Sequence, residues 1–164
     1  MLVQGSLRPQ QNGAHRHSVK GNREETMQND EGLLSVIYTS AATRLLDDAE
    51  LEGLLRGARE HNAQQGITGI LLYGDGNFMQ LLEGPEEAVA GLYARIRRDP
   101  RHHMVTTILE ERGRGREFSE WSMAYRRIDA PTWLRLSQSA GARGQGADSS
   151  VLKGMLAAFW KSVA

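Results

Sequence analysis

The chain has 164 residues, 20 Lys and Arg against 20 Asp and Glu, and no cysteine. This length suits one domain, since domains average roughly 150 residues. The formal net charge is zero. Direct nucleic-acid binding is therefore not expected, because it needs an excess of Lys and Arg to contact the phosphates. Recruitment to an acidic membrane is not expected either, because it needs a basic segment. The absence of cysteine excludes disulfides, thiolate nucleophiles and Cys-ligated metals.

The sequence divides into three parts. Residues 1–31 are polar and aperiodic, which predicts a disordered N-terminal tail, and Met27 is an alternative to Met1 as the true start. Residues 32–128 carry regular hydrophobic patterns and form the predicted domain. Residues 129–164 are interpreted as a linker, rich in Gly, Ser, Ala and Gln over 137–147, followed by a short amphipathic C-terminal helix over 151–159.

Hydrophobic periodicity predicts an alternating order of strands and helices within the domain. The predicted strands are 33–40, 67–73, 78–83, 105–111 and 118–125. One predicted helix covers 43–65 and ends before Gly66, and a second begins at Gly84-Pro85-Glu86-Glu87 and stops at Asp99-Pro100. Gly74-Asp75-Gly76-Asn77 predicts a tight hairpin between the second and third strands. The order βαββαββ predicts an α+β, ferredoxin-like sheet with two helices on one face.

Catalytic motifs are missing from the sequence. Gly74-Asp75-Gly76 begins like a dinucleotide-binding loop, but a strand follows it where a helix N-terminus is needed. No P-loop, zinc-protease motif or serine nucleophile elbow occurs, and the five histidines suggest no metal site. These observations favour a protein that is not an enzyme.

Three polar side chains stand at positions that the pattern predicts to be buried. Asn62 continues the apolar stripe of the first helix, Gln80 shares a strand face with Phe78, and Tyr38 lies in the first strand. Each residue alone is compatible with ordinary core packing. Together, two amides and a phenol in apolar surroundings suggest a planar ligand with polar edges, because buried amides need partners. Trp121 and Met123 are two residues apart in the last predicted strand, so they share one face of it.

Several separated motifs resemble those of the BLUF family of flavin-based blue-light sensors. They are Ile37-Tyr38-Thr39-Ser40, His61-Asn62-Ala63-Gln64-Gln65-Gly66-Ile67-Thr68-Gly69, Phe78-Met79-Gln80-Leu81-Leu82-Glu83-Gly84, Asp99-Pro100-Arg101-His102 and Phe118-Ser119-Glu120-Trp121-Ser122-Met123. The resemblance covers about residues 33–127 and has the family's order of motifs.

The resemblance implies a flavin ring between the two helices, over the sheet. Tyr38 and Gln80 would form the photoactive pair, with Trp121 and Met123 as neighbours that transmit its change. The implied cofactor-binding residues are Tyr38, Leu54, His61, Asn62, Gln80, Arg95, Ile96, Asp99 and His102. Asn62 would hold the carbonyl edge of the ring, and FAD is the expected cofactor, with FMN or riboflavin as alternatives.

The function that follows from this resemblance is blue-light sensing. Excitation would draw an electron and a proton from Tyr38, Gln80 would rearrange its hydrogen bonds, and the last strand would pass the change on. The expected recipient is a separate signalling protein or a homo-oligomer, in the cytoplasm. The alternatives are a small flavin-dependent redox enzyme of ferredoxin-like fold, and a ligand-free assembly module held by its C-terminal helix.

Overall fold

The computed structural model of the protein describes residues 32–113, 115–141 and 149–162. The predicted tail over 1–31 and both candidate start residues lie outside the described part of the chain, as does most of the predicted linker beyond residue 141.

Five strands form one mixed sheet in the order β4-β1-β3-β2-β5. Their bounds are β1 Leu33–Ala42, β2 Thr68–Gly74, β3 Asn77–Pro85, β4 His102–Arg112 and β5 Ala124–Arg127. Neighbouring strands are antiparallel except β2 and β5, which are parallel. The four helices of the described residues are α1 Asp48–Gln65, α2 Glu86–Ile96, α3 Ala130–Gly141 and α4 Ser149–Ser162. The predicted ferredoxin-like α+β fold is confirmed.

The start of α1 is fixed by a capping box, five residues later than predicted. The Asp47 carboxylate accepts the Glu50 backbone N–H at 2.8 Å, and the Glu50 carboxylate accepts the Asp47 N–H at 3.1 Å. Residues 43–46 bond elsewhere, since the Leu46 N–H donates to the Tyr73 hydroxyl at 3.0 Å. The predicted end is confirmed: Gly66 has φ +65° and closes the helix in the left-handed conformation.

The predicted β2–β3 hairpin is present, and its turn is shorter than the predicted Gly74–Asn77 segment, with only two residues between the strands. Asp75 and Gly76 both have positive φ, 47° and 78°, as this kind of tight hairpin requires. Such a turn leaves no freedom in strand register, so it fixes which β3 residue lies opposite each residue of β2.

Helices cover both faces of the sheet, because its inner strands are apolar on both sides. On the first face, α1 and α2 pack through Leu51, Leu55, Val89 and Tyr93 onto a core that includes Tyr38. On the second face, α3 and α4 cover a separate core. Its buried members are Ile37, Ile70, Leu72, Met79, Leu81, Phe118, Ala124, Ile128, Leu136, Leu156 and Ala157.

Two predictions about the second half of the chain are wrong. The last strand spans only Ala124–Arg127 instead of 118–125, because the preceding carbonyls bond outside any strand ladder. The first part of the predicted linker belongs to helix α3, whose first turn is capped by the Asp129 carboxylate accepting from the Thr132 N–H at 2.9 Å. The apolar stripe of the C-terminal helix packs on the sheet, with Leu156 fully buried.

A buried ion pair ties α4 to the sheet. The Lys153 ammonium lies 3.2 Å from the Glu83 carboxylate on β3, and these side chains are 3% and 1% exposed. Lys153 also donates to the Ser35 hydroxyl at 3.1 Å and the Gly115 carbonyl at 2.8 Å. The Glu83 carboxylate accepts the backbone N–H groups of Glu117 and Phe118. One carboxylate therefore joins β3, the segment before β5 and helix α4.

Candidate functional site

A cavity of about 390 Å³ lies between α1, α2 and the first face of the sheet. This volume is within the range of small-molecule sites, roughly 300–1,000 Å³. The structure brings all nine residues predicted to bind a cofactor to its wall: Tyr38, Leu54, His61, Asn62, Gln80, Arg95, Ile96, Asp99 and His102. Phe78 and Leu71 add apolar surface from the sheet.

Tyr38 and Gln80 meet at the floor of this cavity. They lie directly opposite each other on antiparallel strands β1 and β3, so their side chains share one face. The Tyr38 hydroxyl donates to Gln80 Oε1, and Gln80 Nε2 donates to the Met123 sulfur at 3.3 Å. Burial, with smaller effects from Tyr93 and Asp99, raises the pKa of the Tyr38 phenol far above its usual value. The phenol therefore keeps its proton throughout the physiological pH range.

Asn62 brings a buried amide to the end of α1. Its side chain is 1% exposed, and its Nδ2 donates to the Ser122 carbonyl at 2.8 Å. Within the described ranges Asn62 Oδ1 has no hydrogen-bond partner. A buried acceptor without a partner costs about 1–3 kcal/mol, which a ligand N–H at this position would recover. The ring edge of a flavin carries such an N–H between two carbonyls, so this residue fits the expected cofactor.

Charged and ring side chains form the outer wall of the cavity. Arg95 bonds to the His61 ring, and Arg101 forms an ion pair with Asp99 at 2.6 Å. The Arg101 bond lowers the pKa of Asp99 to about 2, so this carboxylate stays ionised.

His102 is a half-buried residue of this outer wall. Its Nδ1 lies 2.8 Å from the Ser40 hydroxyl, and its ring centroid lies 4.7 Å from that of Phe78. Burial is the main effect on His102 and lowers its pKa. Asp99 raises the pKa and Arg101 lowers it, both by less than burial does. The neutral ring is therefore favoured beside the cavity.

The structure separates the two residues predicted to accompany the Tyr38–Gln80 pair. Met123 is 2% exposed and touches Gln80, as expected. Trp121 is 45% exposed, and its ring packs edge-on against Trp160 at 5.4 Å. The expectation that Trp121 and Met123 share the inner face of a strand is wrong, because residues 118–123 precede β5 and follow no strand alternation.

One contact of this segment was not among the predicted site residues. Arg59 Nε on α1 donates to the Met123 carbonyl at 3.0 Å. The available signal was helical spacing, since Arg59 lies three residues before Asn62 and so on the same side of the helix.

The sequence model of the BLUF family, which is described as "sensors of blue-light using FAD", matches residues 33–124 of this chain. The chain belongs to the BLUF family. The cofactor of this family is FAD, and the BLUF region contains the whole cavity described above.

Two relatives match part of this chain in sequence. The photoactivated adenylate cyclase subunit beta of Euglena gracilis is 47% identical over 98 residues, which are 57% of this chain and 11% of that protein. The blue light- and temperature-regulated antirepressor BluF of Escherichia coli is 37% identical over 56% of this chain and 23% of its own length. The chain thus spans about a tenth of the cyclase subunit and a quarter of the antirepressor.

A solved structure matches over nearly its whole length. The dark-state structure of BlrB, a BLUF protein, is 34% identical to this chain, with a TM-score of 0.63. The match covers 79% of this chain and 98% of BlrB.

Among the described helices of this BLUF protein, none has the length and apolarity that a membrane crossing requires. The described residues also hold no group of three or more His, Asp or Glu side chains placed to bind a metal ion.

Proposed function

We propose that this chain senses blue light through Tyr38, Gln80 and Met123, and that it transmits the signal without catalysing a reaction itself. The observation that carries the proposal is the continuous hydrogen-bond chain from the Tyr38 hydroxyl through Gln80 to the Met123 sulfur, at the wall of the cavity. When bound, FAD supplies absorption of blue light and an excited state that accepts an electron.

Binding of the cofactor is assigned to the residues of the cavity wall. Asn62 Oδ1 would accept an N–H from the ring edge, and Leu54 and Ile96 would supply apolar contacts to the ring. Arg95, Asp99, His61 and His102 would hold the polar part of the cofactor. The apolar floor and the two helices exclude water from the Tyr38–Gln80 pair, which are 1% and 7% exposed.

Tyr38 is the proposed electron and proton donor. Its phenol is neutral, so loss of an electron makes the hydroxyl proton strongly acidic, and Gln80 Oε1 is positioned to take it. The amide of Gln80 carries a donor and an acceptor. Once the electron and the proton have returned to Tyr38, the rearranged amide leaves a reversed local hydrogen-bond pattern and no change in net charge. A typical hydrogen bond contributes a net stabilisation of about 0.5–1.5 kcal/mol, so two arrangements that differ by one or two such bonds are close in energy and the first returns in darkness.

Output is proposed to pass through Met123 into β5 and the segment before it. In the Euglena relative the matched region is a small part of a protein named as a photoactivated adenylate cyclase subunit. By analogy we propose that this chain acts on a separate signalling protein or on further copies of itself, in the cytoplasm. The family relationship does not favour the redox-enzyme alternative, because the BLUF family is described as one of blue-light sensors.

The test compares absorption spectra in darkness and after blue light. The wild-type protein should show a flavin band that shifts slightly to the red and recovers. Tyr38→Phe should keep the flavin and lose the shift. Tyr93→Phe is the matched control, because it removes a nearby hydroxyl that bonds to Thr107 at 2.7 Å and not to Gln80. A Tyr38→Phe protein that still photocycles, or a wild-type protein that takes up no flavin, would refute the proposal.

A further inference from the structure

The segment before β5 is held by donors outside any strand ladder. The carbonyls of Trp121 and Ser122 accept from the Gly69 backbone N–H at 3.0 Å and from Asn62 Nδ2 at 2.8 Å. The Met123 carbonyl accepts from Arg59 Nε at 3.0 Å. Two of these three donors are side chains of α1, so the helix that borders the cavity also positions this segment.

We infer that Arg59 is a positioning residue for the light response, because it holds the Met123 backbone where the Met123 sulfur meets Gln80 Nε2. This inference rests on the proposed function. Arg59 does not line the cavity, whereas Asn62 does, and the contact that connects Arg59 to the photoactive pair is its bond to the Met123 carbonyl. The Met123 side chain is 2% exposed, so its packed surroundings limit its rotamers, and a shift of the Met123 backbone moves the sulfur with it.

The sulfur favours one orientation of the Gln80 amide. With Nε2 toward Met123 and Oε1 toward Tyr38, both amide groups have complementary partners. The reversed amide would direct its carbonyl oxygen at the sulfur, which is itself an acceptor. Loss of the Arg59 bond loosens the sulfur, so the amide returns more slowly to the described orientation after illumination.

Dark recovery of the absorption band measures this effect. Arg59→Ala should slow recovery about threefold to tenfold, the change expected for loss of one hydrogen bond. Arg59→Lys keeps a cationic donor and should restore much of the rate. Arg56→Ala removes an exposed arginine one turn earlier on the same helix and should recover like wild type. Recovery of Arg59→Ala that is accelerated, or within twofold of wild type, would overturn the inference.

A second pair of variants tests whether Arg59 acts through the sulfur. Met123→Leu keeps the volume and removes the acceptor. Adding Arg59→Ala to Met123→Leu should then change recovery less than twofold, and a full effect in that background would contradict the assigned route.

A dark-state measurement separates this inference from the proposed function. The ¹³C-methyl NMR signal of Met123 in the flavin-loaded protein should move in Arg59→Ala and stay in place in Arg56→Ala. An unmoved Met123 signal refutes the positioning role even if the photocycle is normal. A wild-type protein without a photocycle refutes the proposed function, whatever the NMR signal does.

Discussion

The buried Lys153–Glu83 pair makes one residue of the C-terminal helix critical for stability. In Lys153→Met, a carboxylate that is 1% exposed keeps two backbone N–H donors but loses its only described cationic partner. Removing one member of a buried ion pair costs about 3–5 kcal/mol. Since small domains have a total free energy of unfolding of about 5–15 kcal/mol, this variant should be severely destabilised.

Urea unfolding followed by tryptophan fluorescence measures that loss. Lys161→Met is the matched control: this lysine is exposed on the same helix, and surface changes usually alter stability by less than about 0.5 kcal/mol. The double variant Lys153→Met with Glu83→Gln removes both charges and should recover at least about 2 kcal/mol relative to the single variant. If Lys153→Met costs less than about 1 kcal/mol, or the double variant recovers nothing, the uncompensated charge is not the cause.

Two further predictions concern other parts of the first face. Gly69→Ala should destabilise the protein by at least about 3 kcal/mol, because a Cβ there would lie 1.9 Å from the Leu81 carbonyl oxygen. Gly91→Ala, with open space around its Cβ, should instead be neutral or slightly stabilising in the same unfolding assay, and equal effects would contradict the steric argument. The pKa of His102 is lower in the folded protein than its ordinary value of about 6.5. As the pH falls below 6.5, the unfolded chain therefore binds a proton at His102 more readily than the folded chain does. The free energy of unfolding should decrease as a result. Unfolding free energies between pH 7 and pH 5 should therefore decrease more for wild type than for His102→Gln, and parallel curves would show that His102 contributes nothing to the slope.

Sequence periodicity predicted the elements whose determinants are local. The Asp75-Gly76 turn and the left-handed Gly66 are encoded by residues that favour positive φ, and both occur as predicted. Tyr38, Asn62 and Gln80 were recognisable as site residues because each interrupts an apolar face. The resemblance to a family added the residues of the outer wall, which have no such pattern.

The elements that were missed depend on contacts distant in sequence. Trp121 lies outside a strand because the segment bonds to Gly69, Asn62 and Arg59, more than 50 residues earlier. Helix α3 was mistaken for linker because its composition is rich in small and polar residues. Yet Ile70, Leu72 and Leu81 point away from α1 and α2, and this second apolar face already required a cover.

The two-residue turn between β2 and β3 has a consequence for how this domain tolerates insertions and deletions. Side chains of a strand alternate between faces, so one residue added to the turn or removed from it would shift the pairing of β3 by one position. Leu81 or Met79 would then face Tyr38, and the Gln80 amide would point into the apolar core under α3 and α4. Length variation in natural or engineered versions of this protein should therefore be confined to other loops, such as the one after β4, and a randomised insertion library should recover no photoactive member with an altered β2–β3 turn.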